Sequence, residues 1–312
     1  MIRAWRWPLA GCVLMGGCMS FEAGAPEGMV DIIAHRGASA YAPENTLAAF
    51  SLAADMGAHW FELDCTLTKD GEIIVIHDDT IRRTTGAEGV VAEMTLAELK
   101  RYDAGTWFDL KFAEQRLPTL GEALDLAKER RIGVYIEIKD SENNRSLNSQ
   151  LSDLVREGER LLPNHAEKMM AAIEASGSRN LELTRKSISL IRARDMQRHV
   201  VIQSFSAIVC AVALIEAPDI RTELLASSSD NDPLQWNRYL QWLKLLDPAG
   251  FNINKKDFNE GLVRDLHAKG KTIAVYTVND PDEMRELIRA GVDALITDRP
   301  DVGIEISAPE GR

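Results

Sequence analysis

The chain has 312 residues, of which 45% are hydrophobic and 27% charged, and 48 acidic against 36 basic side chains leave a formal net charge of −12. These are the proportions of an ordinary soluble globular protein with one large domain or two small ones. The acidic excess argues against nucleic acid as a partner, because phosphate backbones need clustered Lys and Arg, and an anionic substrate would need a local positive site such as a metal.

The first segment stands apart. Arg3 and Arg6 precede an apolar run from Trp7 to Cys18 that is too short to span a bilayer, so it reads as an export signal. Small residues before Cys18 resemble a bacterial lipoprotein cleavage site, which would leave Cys18 as a lipid-modified N-terminus. Leu9-Ala10-Gly11-Cys12 fits that consensus better but has almost no hydrophobic region before it, and an ordinary cleaved signal is the plainer alternative. The expectation is an export signal and linker over 1–30, a chain lipid-anchored at the cell envelope, and a single folded domain over 31–312. Cys65 and Cys210 sit in or beside apolar segments and read as buried free thiols, since two cysteines make no disulfide framework.

From residue 31 the pattern repeats as short apolar strand, polar loop and amphipathic helix, the signature of a parallel sheet with helices outside it. The predicted strands are Ile32–His35, Trp60–Asp64, Val134–Ile138, Val200–Ser204, Thr222–Leu225, Gly250–Ile253, Ile273–Thr277 and Ala294–Thr297. Helices are predicted at Glu44–Met56, Thr119–Arg130, Ser206–Glu216, Asn259–Lys269 and Pro281–Ala290, with Gly270 and Gly291 as C-terminal stops. Eight strands with intervening helices make a (β/α)8 TIM barrel, an α/β fold.

That count requires Ile73–His77 to be the return arm of a hairpin after the second strand. Lys69-Asp70-Gly71 is a turn signal, and the stretch from Asp64 to Ile73 is too short for a crossover helix. The arm is expected to bring His77 roughly opposite Glu62. Two segments exceed the minimal repeat: an insertion at 79–118, expected over the strand ends, and a helical excursion at 140–198, read as a solvated helix pair because its charges show no single-sign patch.

Polar residues at the carboxyl ends of barrel strands are the functional candidates. They are His35, Arg36, Glu62, Asp64, Glu137, Lys139, Gln203 and Asn279. Glu62 and Asp64 lie two apart, hence on one face of their strand, where two acids among apolar neighbours need a cation. Glu62, Asp64 and Glu137 suggest a hard divalent ion, Mg²⁺ or Ca²⁺, between which the spacing does not choose. His35 and His77 flank this centre and titrate near neutral pH, so one can take a proton while the other delivers one. Arg36 and Lys139 add the fixed positive charge that a phosphoryl group requires, although Lys139 has the simpler reading of a partner for Glu137. Together they describe phosphodiester chemistry.

The ordered motifs His35-Arg36-Gly37, Pro43-Glu44-Asn45-Thr46, Glu62-Leu63-Asp64, Thr68-Lys69-Asp70-Gly71, His77-Asp78, Arg83-Thr84-Thr85, Pro118-Thr119-Leu120, Glu137-Ile138-Lys139, Gln203-Ser204-Phe205, Thr277-Val278-Asn279 and Thr297-Asp298-Arg299-Pro300 resemble the glycerophosphodiester phosphodiesterase family over about 31–302. The resemblance implies a TIM barrel that hydrolyses small glycerophosphodiesters to glycerol 3-phosphate and an alcohol with one divalent cation, Mg or Ca. It implies metal ligands at Glu62, Asp64 and Glu137, an acid/base pair at His35 and His77, and phosphate contacts at Arg36 and Lys139. Glu44 would order the site from behind, and Gln203, Tyr276 and Asn279 would border the substrate. Tyr276 departs from the Trp the family usually has before Thr-Val-Asn, which points to an altered leaving-group preference. A phosphodiesterase for lysophospholipids or other lipid-linked diesters and a non-catalytic surface-anchored binder are the alternatives.

Overall fold

The computed structural model describes residues 23–26, 28–139, 147 and 163–308. Cys12, Cys18 and the rest of the expected export signal lie outside the described residues, as do 140–146 and 148–162 of the expected excursion. Among the described residues no helix is long and apolar enough to cross a membrane.

Nine strands form one sheet: β1 (Asp31–Ala34), β2 (Trp60–Leu67), β3 (Ile73–Val75), β4 (Gly133–Ile138), β5 (Val200–Ser204), β6 (Arg221–Ala226), β7 (Gly250–Asn254), β8 (Thr272–Tyr276) and β9 (Ala294–Thr297). Their order is β1-β9-β8-β7-β6-β5-β4-β2-β3, and a further β1–β2 pairing closes the eight parallel strands on themselves. This is the (β/α)8 barrel that the apolar periodicity predicts. The ninth strand, β3, pairs antiparallel with β2 through Cys65–Val75, Thr66–Ile74 and Leu67–Ile73, so the return arm is a hairpin added to the barrel. The N–H of Ile76 donates to the carbonyl of Asp64, which continues the register and carries His77 to the level of Leu63, beside Glu62.

Side-chain alternation along β2 divides the molecule into two layers. Phe61, Leu63 and Cys65 face outward into a core shared with Phe50, Leu124, Val134, Ile136, Ile191 and Ile202, where Phe50 stacks on Phe61 at 4.3 Å. Truncating Phe61 there would cost roughly 3–5 kcal/mol. Trp60 faces inward, closing the amino-terminal half of the barrel with Ile33, Tyr135, Val201, Ala274 and Ile296. Glu62 and Asp64 follow on that inward face, so the apolar exterior of β2 holds two acids inside the barrel. Both free thiols, Cys65 and Cys210, are buried.

Helix starts follow the expected signals. Thr119 and Glu122 form a reciprocal capping box on the helix Leu120–Arg130, and Asp280 caps Pro281–Arg289 with Pro281 in its first turn. The excursion departs from a solvated pair. Its helix Arg179–Ala193 buries Leu183, Ile188 and Ile191 in the outer core, taking the crossover position between β4 and β5, while the charges that disguise this face lie on its other side. An additional helix, Gln235–Leu246, fills the β6–β7 connection with buried Trp242, Leu243, Leu245 and Leu246.

Candidate active site

Three carboxylates converge where β2 and β4 end. Asp64 is the register partner of Glu137 on the parallel strand β4, and Glu62 lies one inward step below Asp64. Glu62, Asp64 and Glu137 each offer an oxygen within 4.8 Å of the others. Burial, and then the charge of Asp64, pushes the Glu62 carboxyl up to about 8. Glu137 is raised for the same two reasons. Burial would raise Asp64 too, but Lys139 and Arg36 outweigh it and hold Asp64 below the usual carboxylate range.

Two cations sit against this cluster. Lys139 Nζ lies 2.9 Å from Glu137 Oε1 and 3.5 Å from Asp64 Oδ1, so its pairing with Glu137 is real and extends to a second acid. Arg36 has left-handed backbone, φ 55°, followed by Gly37 at φ 83°. A Cβ on Gly37 would lie 2.6 Å from the Ala49 backbone carbonyl carbon, so this turn requires glycine. The turn lets the Arg36 backbone N–H donate to Glu62 Oε2 at 2.9 Å while its guanidinium donates to Glu44 Oε1 at 2.9 Å and lies 3.3 Å from Asp64. Asn45, also left-handed at φ 55°, clasps Asp64 in both directions: its Nδ2 donates to Oδ2 at 2.9 Å and its Oδ1 accepts from the Asp64 N–H at 3.2 Å.

The two histidines are built alike. His35, at the end of β1, bonds through Nδ1 to Asp298 at 2.6 Å, and Asp298 is itself fixed by Ser39 at 3.0 Å and Asn279 at 2.6 Å. His77 bonds through Nδ1 to Asp78 at 2.7 Å. A carboxylate on Nδ1 keeps the proton there and leaves Nε2 as the atom that exchanges one. Burial disfavours the His35 cation, but the bond to Asp298 and the charge of Glu62 overcome it and raise its pKa. His35 approaches the cluster beside Glu62, whereas His77 lies within electrostatic reach of Asp64 and Glu137.

Arg83 joins the two halves. It donates to both Asp78 oxygens at 2.7 and 3.1 Å and to both Glu44 oxygens at 2.6 and 2.9 Å. Glu44 therefore stands behind the site, holding Arg36 with one oxygen and sharing both with Arg83. Sequence reasoning assigned no role to Arg83, Asn45, Asp78 or Asp298. The adjacency of His77 and Asp78 is the available signal for one of them; Asp298 stands in the motif Thr297-Asp298-Arg299-Pro300, but lying 263 residues from His35 it gives no sign of its partner.

The remaining expected residues are placed as follows. Asn279 donates to Asp298, the partner of His35, at 2.6 Å and lines the cavity beside them. Gln203 is the register partner of Glu137 on β5 and is as buried as Asp64, with its Oε1 accepting from Asn252 at 2.9 Å. Tyr276 offers a ring at the carboxyl end of β8, but its hydroxyl is engaged, donating to the Ala226 carbonyl at 2.8 Å. A cavity of about 290 Å³ opens between His35, Glu44, Asn279, Asp298 and Arg299.

The donor set fits a hard divalent cation. Three buried carboxylates within one ion's reach hold more negative charge than burial tolerates, which is why Glu62 retains its proton to about 8 without one. A cluster of oxygen donors alone suits Mg²⁺ or Ca²⁺ better than zinc.

Comparison with known proteins agrees with this geometry. The model of the glycerophosphoryl diester phosphodiesterase family matches residues 35–156 and 150–302. A glycerophosphodiester phosphodiesterase of Caldanaerobacter subterraneus is 35% identical over 276 residues, covering 88% of this chain and 96% of that protein. One from Bacillus subtilis is 30% identical, covering 86% and 84%. Among solved structures, a phosphodiesterase of Oleispira antarctica in complex with the product sn-glycerol-3-phosphate superposes with a TM-score of 0.70 at 27% identity, over 89% of this chain and 96% of that one. With the matched segments together spanning the barrel from His35 to the last helix, the chain belongs to the glycerophosphoryl diester phosphodiesterase family.

Proposed function

We propose that this protein hydrolyses glycerophosphodiesters to glycerol 3-phosphate and an alcohol, with a divalent cation held by Glu62, Asp64 and Glu137 and with His35 and His77 as the acid/base pair. The observation that carries the reading is the pair of aspartate-backed imidazoles, one beside Glu62 and one beside Asp64 and Glu137, around a single carboxylate cluster. The named relatives and the product complex of the Oleispira enzyme support the substrate class.

When bound, the cation supplies positive charge to the phosphoryl oxygens. Arg36 and Lys139, already at the rim of the cluster, orient the same anionic group. One imidazole accepts the proton of the attacking hydroxyl through Nε2 while the other donates a proton to the departing alkoxide. Attack by the glycerol 2-hydroxyl would give a cyclic phosphate, and the two histidines exchange roles when water opens it. With Nδ1 tied to aspartate in both, each ring is poised to work in either direction. Wild-type protein is expected to release glycerol 3-phosphate from glycerophosphocholine only with added cation, and His35→Ala and His77→Ala to lose that activity. Normal turnover of an analogue lacking the 2-hydroxyl would eliminate the cyclic route in favour of direct attack by water. We further infer export and tethering through Cys18; acyl labelling that persists in Cys18→Ser would refute the anchor.

A further inference from the structure

Three aromatic side chains from three separate elements meet at the carboxyl-terminal end of the barrel. Phe205 directly follows β5, Tyr276 is the last residue of β8, and Tyr239 lies on the helix Gln235–Leu246. The ring centroids of Phe205 and Tyr276 are 6.1 Å apart at 88°, and those of Phe205 and Tyr239 are 6.4 Å apart at 59°. All three rings are half-buried, and Phe205 belongs to none of the hydrophobic clusters that fill the protein. Core filling therefore does not account for it. The bond from the Tyr276 hydroxyl to Ala226 fixes one wall.

Charges of both signs border this corner. Asp257 Oδ2 accepts from the Ser228 N–H at 2.8 Å, two residues beyond the Ala226 that anchors Tyr276, and Phe205 stands two residues beyond Gln203, the register partner of Glu137. Of the nearby lysines, Lys255 pairs with Glu283 at 2.7 Å, and Lys256 donates to the Ser228 carbonyl at 2.8 Å and keeps its charge. Non-parallel π faces beside a carboxylate attract a cation, and they suit one without N–H groups, because the rings offer no acceptor lone pairs. The ring faces give a metal ion no ligand and a primary ammonium no hydrogen-bond acceptor, so either would turn to the carboxylate; a trimethylammonium group needs neither.

We propose that the corner formed by Phe205, Tyr239 and Tyr276 receives the trimethylammonium end of a choline-type headgroup, making quaternary-ammonium glycerophosphodiesters the preferred substrates. This rests on the phosphodiesterase reading above. The test compares initial rates of glycerol 3-phosphate release from glycerophosphocholine and from glycerophosphoglycerol. Wild type is expected to favour the choline ester in kcat/KM by roughly tenfold, mostly through KM, the size a desolvated cation–π contact supplies. That ratio should fall towards one in Phe205→Leu and in Tyr239→Leu and be retained in Tyr239→Phe, with thermal melting used to verify that each variant folds. Tetramethylammonium chloride should inhibit glycerophosphoglycerol turnover less in Phe205→Leu than in wild type. Equal kcat/KM for the two esters in wild type, or a preference surviving both leucine variants, overturns the headgroup assignment and leaves the phosphodiesterase reading intact. Release of glycerol 3-phosphate from neither ester overturns both.

Discussion

The two mouths of the barrel differ in a way that cavity size alone would misrepresent. The larger opening, about 640 Å³, is at the amino-terminal end, lined by Trp60, Tyr135, Arg221 and Glu223 among others. Its charges are satisfied from within. Glu223 accepts from Arg221 at 2.6 Å and Asn252 at 2.8 Å, Asp31 from the Ala25 N–H at 2.6 Å, and Asp293 from the Ile273 N–H at 2.8 Å. At the carboxyl-terminal mouth three carboxylates crowd together with Lys139 and Arg36 against them. Unresolved charge, and not room, marks the end of the barrel where chemistry belongs.

The sharpest way to break this contrast is mutation at each mouth. Replacing His35 or His77 with Ala should lower kcat by about 10²–10⁴-fold, whereas Glu223→Gln should lower the melting temperature with kcat within a few-fold of wild type. Comparable losses of activity at both ends would dissolve the distinction.

Cation removal tests the carboxyl-terminal mouth alone. Saturating Mg²⁺ or Ca²⁺ at about 100 times its dissociation constant should stabilise the chelator-treated protein by roughly 2.7 kcal/mol, and Glu62→Gln should abolish that gain in thermal melts. The sign with pH follows from Glu62. Its folded-state pKa of about 8 lies above the ordinary value of 4.5, so ionising it destabilises the cation-free protein as pH climbs through that window. The cation-dependent rise in melting temperature should therefore be larger at pH 8 than at pH 6.

Arg83 asks whether the two histidine supports are coupled. It is half exposed and touches neither acid of β2, yet it spans Asp78 and Glu44. Arg83→Ala is expected to reduce kcat about tenfold with little change in KM, and Arg83→Lys to recover only part of it, because an ammonium cannot serve two carboxylates in paired fashion. Wild-type kcat in Arg83→Ala would show the bridge to be incidental.

The smallest effect is expected from Asp298→Asn in the cation-free protein, about 1 kcal/mol of stability. His35 has a raised pKa in the fold, so its bond to Asp298 contributes fully below the unfolded value near 6.5 and fades as pH rises through the folded one. The gap in melting temperature between wild type and Asp298→Asn should be wider at pH 5.5 than at pH 9. A gap independent of pH would mean that the pair is held by shape and not by charge.

Much of the barrel is legible in the chain because each strand is a short apolar run with its own turn chemistry, and the return arm is betrayed by Lys69-Asp70-Gly71. The helix Gln235–Leu246 is harder to see. Leu234 at its start makes no side-chain cap, and the mixed loop before it hides the boundary. At the site, residues that carry their own chemistry, such as Glu62, Asp64 and His77, can be found from period and position. Of the residues that act by holding others, Glu44 is named by its motif, whereas Asn45, Arg83 and Asp298 stand in motifs that do not disclose their roles, since those come from contacts 19, 39 and 263 residues away. The excursion misleads for a related reason: Leu183, Ile188 and Ile191 of the helix Arg179–Ala193 are spaced among enough charge to pass for a solvated face.

The antiparallel arm β3 also divides the site between two cores. The segment after His77 builds a small core of its own from Ile74, Ile76, Ile81, Val91, Leu99, Ala104 and Leu117. It leaves and rejoins the barrel where the Val75 N–H meets the Pro118 carbonyl at 2.8 Å and Ile74 bridges to Thr119, and it is tied back at the hairpin turn, where the Lys69 N–H meets the Met94 carbonyl at 2.8 Å, and through Arg83 to Glu44. The carboxylates belong to the barrel itself, but one imidazole rides on the edge of this cassette. The segment's packing is thus largely its own, so the position of His77 depends on a core separate from the one that holds the carboxylates.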